Sequence, residues 1–264
     1  MNSINIILPT QQQLLNISKT FMIFWKISPE YFYDFISKIS FKGSFPYCIW
    51  SCEEQDKIFR TKEEIISFLL FAKENNNAIY FDFSNTKLEN LHFYDRYTNY
   101  FLSLTKDMET YAIVANLELG KYIKEHFPHI KLVDKNSIFD IQIADKKSTI
   151  QNYEKTIMYL NSYCNNCEVC INEKSIKKLN FEQINIIKCQ NITDSFENSK
   201  TNEFFISLEN LKEYVRKGIR NFIIKEQTFD KYEYIESCLY YLVKPEFHNI
   251  VRLKMLKTNH QNMI

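Results

Sequence analysis

Short runs of β-branched and aromatic residues alternate along the chain with stretches whose apolar residues have helical spacing. This alternation is typical of parallel βα units, in which a helix follows each strand. It predicts strands over residues 4–8, 21–25, 78–83, 111–115, 130–133, 156–160 and 221–225, with a shorter alternating run over 139–144. Six or seven parallel strands favour an α/β fold, a TIM-like (β/α) barrel that is either complete or lacks a unit.

Side chains that cap helices mark several predicted boundaries. Thr61 and Glu64 have the spacing of a capping box at the start of a helix that ends near residues 75–77. Asn116 is placed to cap a helix over 117–126, and Ser207 one over 208–217, where Gly218 provides a left-handed stop. We expect one barrel domain over residues 1–250 and a C-terminal tail over 251–264.

Glycine is scarce, with only 3 in 264 residues. Phosphate-binding loops and the turn that presents a catalytic serine need several glycines close together, because only glycine adopts positive φ at little cost. The chain therefore carries no Walker loop, no dinucleotide-binding fingerprint and no serine-hydrolase elbow.

Charge and hydropathy suggest an ordinary globular protein. The 33 Lys and Arg balance 32 Asp and Glu, which gives no support for a nucleic-acid partner, although a local basic groove would not show in this sum. No stretch reaches the roughly 20 apolar residues of a membrane span, and no leader is visible, so we expect a cytoplasmic protein. In that compartment the cysteines are expected to be thiols or metal ligands.

The strongest chemical signal is a cysteine cluster directly after the strand predicted at 156–160. Cys164, Cys167 and Cys170 form a C-x2-C-x2-C run, and Cys189 follows nineteen positions later. At the carboxyl end of a barrel strand, such thiolates can converge on one soft metal centre. Three interpretations are open: an iron–sulfur cluster, a structural zinc ion, or unliganded thiols in a core.

Other candidates have weaker patterns. Asp82 and Asn85 end a predicted strand and either point into the barrel mouth or cap the next helix, and Asn116 has the same two interpretations. His126 and His129 flank Pro128 at the end of a helix and are expected to be solvated. Cys48 and Cys52 form a C-x3-C pair that either ligates a metal or approaches the rim, or, as we expect, consists of incidental thiols in a loop. Cys238 lies inside the last predicted helix and is expected in the core.

Several segments, in order, resemble the U-thirty-two peptidase (collagenase-like) family over about residues 60–246. Leu160-Asn161 and the following cysteines resemble its "VNxxCxxxC" segment, and the 80–85 strand ends in asparagine as the family's does. The 113–132 region is similar to its "vvanp-L-yi-P-lkl" pattern. The 205–214 region resembles the "fI-PeDL-Y" helix entry, and residues 218–222 resemble the strand "Gi-fK".

This resemblance implies a TIM-like barrel and a [4Fe–4S] cluster held by Cys164, Cys167 and Cys189, with Cys170 as the fourth ligand. It also implies oxygen-independent hydroxylation, or a related modification, of RNA, a peptide or a small aromatic substrate. Where the family has lysine and then Gly-Arg after its last strand, this chain has Ile223, Glu226 and Gln227. A non-catalytic subunit that pairs with a related active protein and holds a structural metal such as zinc is therefore the alternative, with a true peptidase third.

Overall fold

The structure, a computed structural model, describes residues 3–10, 12–44, 48–51, 61–161, 196–225 and 231–261. Within these ranges eight parallel strands close into a barrel in chain order, and the last strand pairs with the first. The predicted TIM-like α/β barrel is confirmed, and its ring of strands is complete. No helix in the described ranges is long and apolar enough to cross a membrane.

Helices alternate with strands along the described chain, except between β5 and β7. The strands are β1 (Ile4–Pro9), β2 (Ile36–Gly43), β3 (Ile79–Phe83), β4 (Thr110–Val114), β5 (Lys131–Asp134), β6 (Ile141–Ala144), β7 (Thr156–Tyr159) and β8 (Asn221–Ile223). The described helices are α1 (Gln12–Ile27), α2 (Lys62–Glu74), α3 (Arg96–Ser103), α4 (Leu117–His126), α5 (Phe196–Ser199), α6 (Leu208–Lys217), α7 (Lys231–Leu242) and α8 (His248–Gln261).

Local capping signals were predicted correctly. At the start of α2, the Thr61 hydroxyl accepts from the Glu64 N–H while the Glu64 carboxylate accepts from the Thr61 N–H. Asn116 caps α4, Ser207 caps α6, and Gly218 ends α6 with φ of 120°. These contacts satisfy N–H groups that the first helical turn leaves without intrahelical partners.

One prediction near the amino terminus was wrong, and one strand was missed. Residues 21–25 belong to α1 and form no strand, because Leu14, Ile17 and Phe21 recur at helical spacing and are buried on one face. The second strand of the barrel is instead β2, which the pattern did not reveal. The inward face of β2 carries Lys38, Ser40 and Lys42, so the strand lacks the apolar run expected of a buried parallel strand.

Two separate apolar clusters define the inside and the outside of the barrel. The larger cluster joins outward strand residues such as Phe41 and Phe222 to the helices. The smaller cluster contains no helical residue and consists of inward side chains, Ile7, Ala78, Tyr80, Tyr111, Ile113, Val133, Ile143, Ile157 and Ile223. Because neighbouring residues of a strand face opposite sides, membership of these clusters identifies the inward positions along each strand.

The barrel closes without helices on its β5–β6 side. Residues 135–140 join β5 to β6, and residues 145–155 join β6 to β7 with only a 3-10 turn at Tyr153–Lys155. The short first connection is sufficient because Ile141 pairs with Val133, so β6 begins almost level with the end of β5.

The predicted tail begins inside a helix. α8 runs from His248 to Gln261, across the boundary expected at residue 250. Val251 and Met255, four residues apart, are buried in the core that α8 shares with α1 and α7. Their spacing gives α8 an apolar face, which packs against α1 and α7.

Candidate functional site

Polar residues line the inside of the barrel at the carboxyl ends of its strands. Lys42 is two residues after Ser40 on β2, and Asp82 is two residues after Tyr80 on β3, so both are inward positions. Tyr159 packs against the inner cluster at the end of β7, and Lys225 is two residues after inward-facing Ile223. The carboxyl end of the strands is the face on which TIM-barrel enzymes place their active sites. We call these four residues the mouth cluster.

An ion pair forms the deepest part of the mouth cluster. Lys42 Nζ lies 2.5 Å from Asp82 Oδ2, and the two side chains are only 5% and 10% exposed. Burying an ion pair is costly, and well-packed apolar residues are often as stable or more so. A buried pair on the catalytic face of a barrel therefore indicates a role in binding or chemistry more strongly than a role in stability.

Lys225 and Tyr159 form the more accessible part of the mouth cluster. Lys225 Nζ lies 5.5 Å from the centroid of the Tyr159 ring, within the range of a cation–π interaction. Asn161 fixes the backbone of Lys225 from both sides. Its Oδ1 accepts from the Lys225 N–H at 2.6 Å, and its Nδ2 donates to the Lys225 carbonyl at 2.8 Å. The Lys225 backbone is thus held rigidly beside the end of β7.

The four predicted metal ligands, Cys164, Cys167, Cys170 and Cys189, lie outside the described residues. The chain on either side of them is described. Asn161 pairs with Phe205 in an antiparallel bridge, and the Ile206 N–H donates to the Leu160 carbonyl at 2.9 Å. The buried Tyr241 hydroxyl donates to both the Leu160 and Ile206 carbonyls. Residues 160–161, before the cysteines, and residues 205–206, after them, therefore lie together at the carboxyl end of β7.

The two cysteines that the structure describes, Cys48 and Cys238, do not have the character of metal ligands. Cys48 and Cys238 are buried free thiols. Burial raises the pKa of Cys48 to about 12, with the Thr98 hydroxyl donating to its sulfur, and burial also raises the pKa of Cys238. Cys52 lies outside the described residues. Across the described ranges, no group of three or more His, Cys, Asp or Glu side chains is arranged to hold a metal ion.

Of the other predicted candidates, only Asp82 belongs to the mouth cluster. Asn85 holds a loop, since its Nδ2 donates to the Ile49 carbonyl and its Oδ1 accepts from the Lys87 N–H. Asn116 caps α4. His126 stacks on the Tyr122 ring, which faces away from the barrel interior.

His129 contacts Thr105, and burial lowers the pKa of its imidazole. Glu226 and Gln227, at which the chain departs from the family pattern, lie outside the described residues. Ile223 is part of the apolar interior, and the inward lysine of this segment is Lys225, two positions later.

A second polar network, not foreseen from sequence, closes the opposite end of the barrel. Asn5 Nδ2 donates to Asn221 Oδ1 at 3.0 Å, and Ser40 donates to Asn5 Oδ1 at 2.8 Å. Tyr80 and Tyr111 stack with ring centroids 4.3 Å apart. Burial raises the pKa of both phenols, which therefore stay neutral. We interpret this end as a structural plug, in keeping with the role of the amino-terminal face in TIM barrels.

Glu109 lies at the edge of this plug. Its carboxylate pairs with Lys38 and accepts from the Tyr111 hydroxyl at 2.5 Å. Burial acts to raise the pKa of Glu109, but hydrogen bonds from Lys38 and Tyr111 and the charges of Lys38 and Lys131 lower it overall. The sequence of β2 contained a signal for the polar groups at both ends of the barrel. Its polar residues Lys38, Ser40 and Lys42 alternate with outward Ile39 and Phe41, which is the pattern of a strand with one polar face.

In comparisons with known proteins, no family model, no curated protein and no solved structure matched the chain. The U-thirty-two resemblance therefore stays a prediction from the residues that carry it.

Proposed function

We propose that the chain binds a [4Fe–4S] cluster through Cys164, Cys167, Cys170 and Cys189, and that it takes part in oxygen-independent hydroxylation or a related modification of a substrate. The observation that carries the proposal is the anchoring of the cysteine-bearing segment. Asn161, directly before this segment, lies at the carboxyl end of β7 beside Tyr159 and Lys225 of the mouth cluster, and residues 205–206, which follow the segment, pair with Leu160 and Asn161 there. A metal centre on this segment would be tethered at the face where barrels bind substrates.

The donor set fits this cofactor. Four cysteine thiolates are the usual ligands of a [4Fe–4S] cluster, and pairs of cysteines two residues apart occur among such ligands. A bound cluster supplies electron transfer. The residues of the chain itself supply the binding site: Lys42 and Lys225 donate hydrogen bonds and positive charge, Asp82 holds Lys42, and Tyr159 offers an aromatic face.

Metal analysis of the anaerobically purified protein tests the proposal. We expect about four iron and four sulfide per chain and broad absorption near about 400 nm, because thiolate-ligated iron–sulfur clusters are coloured. The Cys164→Ser, Cys167→Ser double variant should lose the iron. Cys238→Ala is the matched control, since its thiol is buried in the core between helix and barrel, and it should keep the iron.

Two outcomes separate the proposal from its alternatives. Zinc in place of iron, lost in the double variant with a fall in stability, would favour a structural metal in a non-catalytic subunit, and co-purification with a related protein would strengthen that interpretation. The burial of Ile223, where the family has lysine, is the observation that favours such a subunit. A colourless protein without metal, from cells supplied with iron, would refute a metal centre of either kind.

A further inference from the structure

α8 and the turn before it present a stripe of exposed side chains to solvent. Its members are spaced four, three and four positions apart, so they lie on one face of a helix: Glu246, Ile250, Leu253 and Lys257. All four side chains are exposed, and Leu253 is 60% exposed. Glu246 is in the 3-10 turn Pro245–Phe247, which continues directly into α8 through a residue with helical backbone angles. We call these four residues the α8 stripe.

The apolar centre of the α8 stripe has exposed apolar neighbours on α1. Lys254 Nζ lies 4.4 Å from the centroid of the Phe24 ring, which places α8 against the second half of α1. Ile27, one turn after Phe24, is 72% exposed, and Ile23 is exposed as well. Two adjacent helices thus expose two aliphatic side chains each. Exposed apolar residues that occur singly need no explanation, whereas a group of them marks an interaction site.

The amino-terminal end of the α8 stripe is acidic. Lys244, just before the stripe, pairs with Asp34 and donates to the Glu30 carbonyl, which brings the end of α8 and residues 30–34 together. This corner of the molecule therefore holds the carboxylates of Glu30, Asp34 and Glu246 and the ammonium of Lys244. Its net charge is negative at neutral pH.

The rest of α8 is basic. The helix has no Asp or Glu from His248 to Gln261, and it carries Arg252, Lys254 and Lys257. Arg252 pairs with Glu236 of α7, and Lys254 faces the aromatic rings of α1, so Lys257 is the cation that belongs to the stripe. An acidic beginning and a basic end suit the dipole of α8 itself. They also make α8 complementary to a second α8 that runs in the opposite direction.

The α8 stripe is symmetric about one point. Ile250 and Leu253 are centred between residues 251 and 252, and Glu246 and Lys257 have the same centre. A two-fold axis through this point, perpendicular to α8, would place Ile250 of each copy against Leu253 of the other, and Glu246 against Lys257. With a rise of 1.5 Å per residue, the two charged contacts would be about 16 Å apart along the helices, on either side of the apolar centre. A single rotation therefore satisfies both the apolar and the charged contacts.

We propose that the α8 stripe is the interface between two copies of this chain, related by a two-fold axis, with α8 packed antiparallel against its counterpart. Ile250 and Leu253 form the apolar centre, and two contacts between Glu246 and Lys257 fix the antiparallel direction. The dipoles of antiparallel helices attract as well. A second copy fits better than an unrelated partner because the stripe supplies its own complement in charge and in position. The dimer does not depend on the proposed function, and each can fail without the other.

Sedimentation equilibrium of the full chain tests for the dimer. An interface centred on one helix from each copy is small, so we expect a dissociation constant of roughly 10–100 µM. Leu253→Glu places a carboxylate from each copy in the apolar centre and should weaken dimerisation by at least about tenfold. Leu91→Glu is the matched control and should leave dimerisation unchanged, because Leu91 is 67% exposed but lies in the 3-10 turn between β3 and α3. Circular dichroism shows whether each variant is folded.

Charge exchange between Glu246 and Lys257 tests the antiparallel arrangement. Glu246→Lys and Lys257→Glu each bring like charges together twice per dimer, so each should weaken self-association by about threefold to tenfold. An equal mixture of the two variants should form a heterodimer about as tightly as the wild type associates, because every charged contact then joins opposite charges. Substitutions that acted only through the dipole of α8 would change the stability of each monomer and would give no recovery on mixing.

Three results would each overturn the proposed dimer. The first is a chain that stays monomeric up to about 500 µM. The second is a folded Leu253→Glu variant that associates like the wild type, and the third is a mixture of the charge variants that associates no more tightly than either variant alone. A monomeric chain that binds phosphatidylglycerol vesicles, and loses this binding in Leu253→Glu, would assign the α8 stripe to a membrane surface instead.

Discussion

Asn161 provides the sharpest test of the anchoring between the carboxyl ends of β7 and β8. Its side chain, buried to 1% exposure, donates to the Lys225 carbonyl and accepts from the Lys225 N–H. A third contact, to Ser237 Oγ at 3.3 Å, is longer. Asn161→Ala removes these bonds and leaves the two backbone groups of Lys225 without the partners that the asparagine provides.

The magnitude follows from the two short bonds. A buried donor or acceptor that loses its partner costs about 1–3 kcal/mol. Lys225 is only half buried, so water can reach part of the gap, and we expect a loss of about 2–4 kcal/mol in the free energy of unfolding for both groups together. With a urea m-value of about 3 kcal/mol/M, the midpoint would fall by about 1 M.

Urea unfolding followed by circular dichroism and tryptophan fluorescence measures this loss. Asn116→Ala is the matched control, because its side chain accepts from one N–H at the exposed start of α4 and its loss should cost about 1 kcal/mol. Asn161→Asp should be intermediate, since a carboxylate accepts from the Lys225 N–H but cannot donate to the carbonyl. If Asn161→Ala is no less stable than Asn116→Ala, the anchoring described above is refuted.

Three further predictions concern stability. An added Cβ on Gly120 would lie 2.3 Å from Phe139 Cζ, so Gly120→Ala should lower the free energy of unfolding in urea by about 1–3 kcal/mol. In a Phe139→Ala background the same substitution should raise it by about 1 kcal/mol, because alanine has the better helix propensity and the clash is gone. Equal effects in both backgrounds would contradict the contact. Gly218→Ala should cost about 1–2 kcal/mol, since φ of 120° strains any residue with a Cβ, and an unchanged melting temperature would argue against that geometry. The pKa of Glu109 is lower in the folded chain than its unfolded value of about 4.5, so its contribution to stability is present above that pH and is lost as the pH falls through the folded pKa. Glu109→Gln should remove this part of the acid dependence of stability. An identical pH profile in the variant would show that the Lys38 contact does not persist in solution.

How far the sequence could predict this fold depended on how local each signal was. The capping box at Thr61 and the caps at Asn116 and Ser207 involve residues three apart, so the residue types alone identify them. The evidence that β2 is a buried strand of the barrel was not all local. Its inward Ser40 and Lys42 are buried with partners on neighbouring strands, Asn5 and Asp82, and its inward Lys38 pairs with Glu109. The alternation of polar and apolar residues over 38–42 is a local signal of a strand, but the partners that allow its polar face to be buried lie outside that strand.

The same reason limited the prediction of the site. Asp82 could be identified as a candidate because it ends a strongly apolar strand. Lys42 could not, since its strand was not recognised and its partner is forty positions away. Tyr159 and Lys225 meet only because β7 and β8 are neighbours in the closed barrel. The pairings across strands, and not the residue types, assemble the mouth cluster.

The carboxyl end of the barrel divides into two halves with different roles. After β4, β5 and β6, short polar side chains hold the connections: Asn116 caps α4, Asp134 accepts from the N–H groups of 136, 138 and 139, and Asp145 accepts from those of 147 and 148. Carboxylates used in this way are occupied by the backbone and are poor candidates for chemistry. The other half, formed by β7, β8, β1 and β2 with Asp82 at its margin, carries both lysines of the mouth cluster and the bridge between Asn161, which precedes the cysteines, and Phe205, which follows them. If the barrel acts on a substrate, the physical division of its rim places the reaction on this half.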